Sequence, residues 1–187
     1  MRILVLGGLL IGTSVAHGER STAIHIGGMF GATENAIDDE HPLMMMAGGP
    51  RVTLAWENPM PVIPMTAGRT VDFALVPELT AAAILNEQHG EVMLGVGARA
   101  EIRMAVRSGG IFGNAQFSFY GAGRLLVIGD HKDTAVEGAM GTYVYLGKTQ
   151  IRFGGEIHLI GREQTSSMYT RNRELGVFSS AYLGWTL

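Results

Sequence analysis

The stretch from Glu91 to Arg107 reads Glu-Val-Met-Leu-Gly-Val-Gly-Ala-Arg-Ala-Glu-Ile-Arg-Met-Ala-Val-Arg. Every even-numbered position in it is apolar, and the odd-numbered positions hold all of its charges. Alternation with a period of two indicates a β-strand with two chemically different faces. At ~3.3 Å per residue the stretch would extend over roughly 56 Å, whereas strands in globular proteins average ~5–6 residues. Such length, with one apolar and one charged face, is typical of a transmembrane β-barrel.

The same alternation recurs along the chain and predicts eight strands. They are residues 21–32, 51–57, 69–85, 91–107, 111–128, 134–146, 150–162 and 175–187. Within the third, residues 79–85 could instead form a helical turn, because Ala81, Ala82 and Ala83 favour helix. Residues 58–68 contain three prolines and are predicted to form a connection outside the ladder. The sequence therefore predicts an all-β fold, an eight-stranded antiparallel up-and-down barrel.

The predicted connections alternate in length. Those after the fourth and sixth strands are short, whereas residues 33–50 and 163–174 are predicted to be long polar loops. Short turns at the periplasmic end and longer loops outside are typical of outer-membrane barrels. The first long loop ends in Met44, Met45 and Met46, which could pack on the barrel mouth or form an exposed recognition patch.

The polar faces of the predicted strands collect charges of both signs. A lipocalin is also an eight-stranded barrel, but its cavity is apolar and its outside is wet. Here the charged face is predicted to line the lumen, where side chains just fill the space and charges must be paired. The predicted lumen network is Arg51, Glu57, Asp72, Arg99, Glu101, Arg103, Arg124, Glu137, Arg152, Glu156 and His158. The alternative is a soluble barrel or sandwich in which these charges form a solvated outer face.

The N-terminal residues are typical of a secretory signal. Arg2 precedes an apolar run over residues 3–11, and a small-x-small site follows at Ser14 and Ala16 or at Ala16 and Gly18. A dinucleotide-binding turn is the alternative, but residues 7–12 lack the middle glycine and no βαβ pattern follows. We therefore predict a signal peptide over residues 1–18 and a barrel domain over residues 19–187.

The overall composition excludes two classes of chemistry. The 14 basic and 17 acidic residues give a formal net charge of −3, and nucleic-acid binding requires a basic patch. With no cysteine, the chain has neither a disulfide framework nor thiolate chemistry. Glycine makes up 27 of the 187 residues, and most of it lies inside alternating runs, where it suits the curvature of a closing sheet.

The eight alternating runs and the signal segment resemble the small outer-membrane barrels, the class of OmpA-, OmpX- and OmpW-like proteins. The last residues, Ala-Tyr-Leu-Gly-Trp-Thr-Leu from Ala181 to Leu187, resemble the terminal signal that the barrel-assembly machinery reads. The family usually ends in Phe, and this chain ends in Leu187. The resemblance implies a monomer in the bacterial outer membrane whose partners are membrane lipid and, during insertion, the assembly machinery.

Few residues suggest chemistry. His158 with Glu163, Ser166 and Ser167 was weighed as a nucleophile–base–acid unit, but a histidine bonded into the lumen network is the favoured interpretation. The other histidines lack metal-ligand spacing, and the acidic residues 34–40 are expected to be solvated. We expect no catalytic, cofactor or metal site. Three functions stay open: a structural or surface-interaction barrel, a narrow pore or carrier for small solutes, and a lipid-modifying enzyme.

Overall fold

The computed structural model describes residues 22–36, 43–57, 63–64, 71–85, 90–107, 114–129, 133–146, 150–166 and 170–187. These residues form eight long strands and one two-residue strand, Ile63–Pro64. The long strands are β1 Thr22–Ala36, β2 Leu43–Trp56, β3 Val71–Leu85, β4 Gly90–Arg107, β5 Asn114–Ile128, β6 Asp133–Leu146, β7 Ile151–Ser166 and β8 Thr170–Thr186. The predicted signal peptide lies outside the described residues.

Each long strand pairs antiparallel with the next, and the ring closes on itself. Pairing of β1 with β8 runs from Ala23 opposite Thr186 to Ala36 opposite Arg173. The prediction of a closed eight-stranded antiparallel barrel is confirmed. Among the described residues no helix is long and apolar enough to cross a membrane.

The barrel has two ends, which we name by their connections. Thr22 and Leu187 lie at the terminal end, together with the connections that follow β2, β4 and β6. The connections that follow β1, β3, β5 and β7 lie at the opposite end, the loop end. Each of the eight long strands therefore runs from one end to the other.

The wall of the barrel separates the two faces of each strand. Outward-facing side chains are mostly apolar and exposed, for example Met140 at 74% and Leu125 at 65%. Inward-facing ones include fully buried charges such as Arg99 and Glu137. Glu34 is the one charged residue among the outward-facing side chains that the structure describes, and it lies at the loop end of β1. The alternation of apolar outward and polar inward side chains predicted for residues 91–107 thus holds for the other long strands as well.

The strands at the loop end are longer than the sequence predicts. β7 and β8 remain paired as far as Ser166 opposite Thr170, so most of the predicted polar loop 163–174 is ladder. β1 and β2 likewise extend to Asn35 opposite Leu43. The methionine triplet, predicted to end the first long loop, lies in the β2 ladder, and Met46 faces outward and is 58% exposed. Polar residues can continue a ladder because the backbone groups, not the side chains, make its hydrogen bonds.

Around β3, the predicted strand does continue to Leu85, and the helical alternative for residues 79–85 is wrong, because β4 pairs with β3 throughout this stretch. The proline-rich connection is not wholly outside the ladder, because Ile63 and Pro64 pair with Phe73 and Asp72. β2 pairs with β3 only as far as Ala55 opposite Glu78, so this short strand takes over the remaining edge of β3.

The junction between β2 and β3 is the least continuous of the ring. Its pairs are Gly48 with Leu85 and then Arg51 to Ala55 with Ala82 to Glu78, skipping Gly49 and Pro50. At Gly49 a Cβ atom would lie 2.1 Å from the carbonyl oxygen of Ala83, so the close approach of the two strands requires glycine.

Candidate functional site: the barrel lumen

The middle of the lumen is filled by charged side chains, which we call the polar layer. It consists of five arginines, five glutamates and a histidine: Arg51, Arg99, Arg103, Arg124, Arg152, Glu57, Glu78, Glu101, Glu137, Glu156 and His158. Its formal charges cancel, five against five, if the histidine is counted as neutral. All of these side chains are buried apart from Arg103, which is half-buried and 14% exposed. The arrangement meets the requirement that a buried charge be paired.

Arg99 on β4 lies at the centre of one half of the layer. Its guanidinium contacts Glu78 at 3.0 Å, Glu57 at 3.2 Å and Glu101 on its own strand. The faces of Tyr120 and Tyr143 lie 5.1 and 5.5 Å from its Cζ atom. A planar guanidinium can bond to carboxylates at its edge while its faces stack on aromatic rings, which an ammonium cannot do.

Glu137 on β6 is the centre of the other half. It accepts hydrogen bonds from Arg51 at 2.9 Å and from Arg124 at 2.8 Å, and it bonds His158 Nδ1 at 2.7 Å. Arg124 joins the two halves, because it also contacts Glu78 at 2.7 Å and Glu156 at 3.0 Å. A single connected network thus ties six strands, β2 to β7, together across the barrel axis.

The polar layer continues toward the terminal end. Arg152 on β7 bonds Glu57, which follows β2, and donates to Thr186 on β8 at 2.8 Å. Arg103 donates to Glu101 at 2.6 Å, and Tyr143 donates to the same carboxylate at 3.1 Å. The Arg152–Glu57 and Tyr143–Glu101 bonds connect strands that are not neighbours in the ring.

The structure brings together every residue of the predicted lumen network except Asp72. Asp72 is half-buried, and the β3–β4 register places it opposite Arg103. Glu78 was missed by the sequence analysis, and it contacts both Arg99 and Arg124. The signal that could have found it is parity, since Glu78 shares the even face of β3 with the buried Val76 and Thr80.

His158 has the neighbours of a nucleophile–base–acid chain. Its Nε2 atom lies 2.7 Å from Ser180 Oγ and its Nδ1 atom 2.7 Å from Glu137. The side chains of Ser166 and Ser167, the serines that the sequence offered as nucleophiles, lie outside the described residues. Two features oppose nucleophilic chemistry here: Glu137 is already held by two arginines, and Glu156 lies 3.4 Å from Nε2. Ladder pairing also occupies backbone N–H groups of the kind that stabilise an oxyanion.

Beside Ser180 the lumen leaves a small gap between side chains. His25 and Tyr182 line it and stack with their ring centroids 4.8 Å apart. Tyr182 also shares a 3.0 Å hydrogen bond with Tyr120, which donates to Glu156 at 2.8 Å. Aromatic and hydroxyl groups thus extend the polar layer to the β1–β8 junction.

Above the polar layer, toward the loop end, the lumen is apolar. This apolar layer consists of Met29, Ala47, Ala82, Met93, Leu126, Ile128, Ala135, Ile160 and Phe178, with Ile84 packed against it. Beyond it lies a recess that part of this layer lines. At the rim of the recess, Arg162 bonds Glu91 at 2.9 Å and Asp133 at 2.7 Å.

No metal cluster is formed by the described residues, in which no three His, Asp or Glu side chains are placed to hold an ion. The carboxylates of the polar layer are instead oriented toward arginines. The acidic residues 37–40 of the first connection lie outside the described residues.

The fold is similar to that of solved outer-membrane barrels. The outer-membrane enzyme PagL aligns with a TM-score of 0.52 at 12% identity, covering 83% of this chain and 97% of that protein. Neisserial surface protein A aligns with a TM-score of 0.44 at 10% identity, covering 88% of this chain and 98% of that protein. At such identities the first likeness shows the fold alone. No family model and no curated protein sequence matches the chain, so the resemblance to OmpA-, OmpX- and OmpW-like proteins stays a prediction.

Proposed function

We propose that this protein is a bacterial outer-membrane barrel whose wall and lumen are structural and whose loop end is its interaction surface. The observation that carries the proposal is the occlusion of the lumen. A polar layer of paired charges and an apolar layer of large side chains lie one above the other along the axis. An eight-stranded barrel has room for side chains and little else.

Location in a membrane is supported by the outward face. Val96, Leu125 and Met140 are exposed at mid-height, where water would contact only apolar surface. Trp56 and Trp185 lie outward at the terminal end, and such aromatic residues are enriched at membrane interfaces. The terminal end would then face the periplasm, and the loop end would face the outside of the cell.

The membrane part of the proposal is tested on the cell-envelope fraction. A barrel of this kind keeps its fold in unheated detergent, so we expect the outer-membrane fraction to contain a band that migrates differently after boiling. Recovery of the protein in the soluble fraction, with no such shift, would contradict it.

The closed lumen is tested by conductance. We expect the protein to give no steady channel in a planar lipid bilayer. The matched control is the double variant Leu126→Gly with Phe178→Gly. It removes two large, fully buried side chains of the apolar layer. A steady conductance of the unmodified barrel would favour the pore, the runner-up function.

A second candidate, hydrolysis by Ser180, is favoured by the Ser180–His158–Glu137 hydrogen-bond order. It would be supported if a small phosphonyl fluoride labelled the protein and Ser180→Ala abolished the labelling. We expect no labelling, because the apolar layer lies between Ser180 and the loop end.

A further inference from the structure

The recess at the loop end has the form of a small binding site. Its floor is apolar and buried, made by Met93, Ile128, Ile160 and Phe178. Its polar groups are Thr33 on β1, Glu91 on β4 and Arg162 on β7. A concave apolar surface with a few convergent polar groups is the usual form of a small-molecule site.

The rim charges that the structure describes favour a cation as the ligand. Arg162 contributes one positive charge, and Glu91 and Asp133 contribute two negative charges, so these three groups sum to −1. Both carboxylates already bond Arg162, which opposes the binding of an anion there. Each carboxylate still has lone pairs to accept another donor, and Glu91 is 40% exposed toward the recess.

A second, independent observation concerns Thr33. Its side chain is buried and lines the recess, and its hydroxyl has no hydrogen-bond partner among the described residues. A buried hydroxyl without a partner is costly. A ligand in the recess that donates a hydrogen bond to Thr33 would satisfy this hydroxyl.

We propose that the loop-end recess binds small amphiphilic cations, with an ammonium group between Glu91 and Thr33 and a short apolar chain on Met93, Ile128 and Phe178. The flexible thioether of Met93 can adapt to chains of different shape. This inference goes beyond the structural role proposed above, and it stands whether or not the barrel conducts ions.

The test uses three probes of equal chain length and different charge: hexylammonium, hexanol and hexanoate. They are titrated into the full-length protein in lipid nanodiscs with ¹³C-labelled methionine methyl groups. Met93 reports on the recess, and Met140, which is 74% exposed on the outer wall, reports on the lipid. We expect a saturable shift of the Met93 signal, strongest for hexylammonium and weakest for hexanoate, with no saturable shift of Met140.

Matched variants separate the site from general charge effects. Glu91→Gln should abolish the preference for hexylammonium over hexanol, and Thr33→Val should weaken hexylammonium binding. Glu34→Gln removes the same charge from an outward-facing residue at the same end and should change nothing. The proposal is overturned if Met93 does not respond, if Met93 and Met140 respond alike, if the three probes bind equally, or if Glu34→Gln has the effect of Glu91→Gln.

Discussion

The polar and apolar layers fill the same lumen with opposite kinds of interaction. In the polar layer each side chain is fixed by specific partners, as Glu137 is by Arg51, Arg124 and His158. In the apolar layer Met93, Leu126 and Phe178 make non-directional packing contacts with the other apolar side chains. A change in the polar layer therefore leaves unpaired charge, whereas a change in the apolar layer leaves empty volume. The two layers should respond differently to substitutions of similar size.

The largest effect is expected for Glu137→Ala in the polar layer. Loss of this carboxylate leaves two arginines and a histidine without their shared partner, and breaking a buried ion pair costs roughly 3–5 kcal/mol. The free energy of unfolding would be measured by urea titration in lipid vesicles, following the fluorescence of Trp56 and Trp185. Glu34→Ala, at an exposed carboxylate, is the control and should have little effect. A small loss for Glu137→Ala would indicate a wet lumen.

The apolar layer is probed by Leu126→Ala. Leu126 is 1% exposed, and truncating a buried leucine costs about 2–5 kcal/mol because a cavity remains. The neighbouring Leu125 is 65% exposed on the outer wall, so Leu125→Ala should cost much less. Equal losses for the two variants would contradict the assignment of the two faces.

Coupling within the polar layer is tested by a double-mutant cycle of Arg51→Ala and Glu137→Ala. The two side chains form a 2.9 Å ion pair, so the double variant should be more stable than the sum of the single losses predicts. Coupling energies of contacting residues are about 0.5–3 kcal/mol. The control is a cycle of Arg51→Ala and Leu125→Ala, whose side chains lie on opposite faces of the wall. We expect their losses of unfolding free energy to be additive.

The smallest effect is expected for Leu126→Met. The exchange conserves volume and polarity, so the cost should be less than about 1.5 kcal/mol. Its counterpart Glu137→Gln conserves shape but removes the charge, and it should cost more than Leu126→Met. Equal losses of stability for the two conservative variants in urea unfolding would contradict the distinction between the layers. The polar layer would then not depend on specific ion pairs more than the apolar layer depends on filled volume.

The barrel itself could be predicted from the sequence because its signal is local. Parity depends only on whether a residue is odd or even along its strand, so the inward positions of Arg99 and Glu101 could be read from the sequence. The contacts could not be read in this way. Arg51 meets Glu137 on a strand far along the ring, and this pairing depends on the register and tilt of strands between them.

Three features of the structure were not predicted from the sequence. Glu78 was missed because Pro77 before it and the alanines after it obscure the strand pattern of β3. The loop-end strands were cut short because their polar residues resemble loop composition. The apolar layer was not foreseen, although Leu125, Leu126, Val127 and Ile128 are consecutive and apolar. Four such residues in a strand place apolar side chains on both faces.

The interrupted junction between β2 and β3 has a consequence for the motions of the barrel. The pairing there skips Gly49 and Pro50, while the pairings of β1 with β2 and of β3 with β4 run through the same level without a gap. Local opening begins where the fewest backbone hydrogen bonds must break together. Amide protons along β2 and the facing edge of β3 should therefore exchange with deuterium sooner than those of β5 and β6, and the ring should open along this line first.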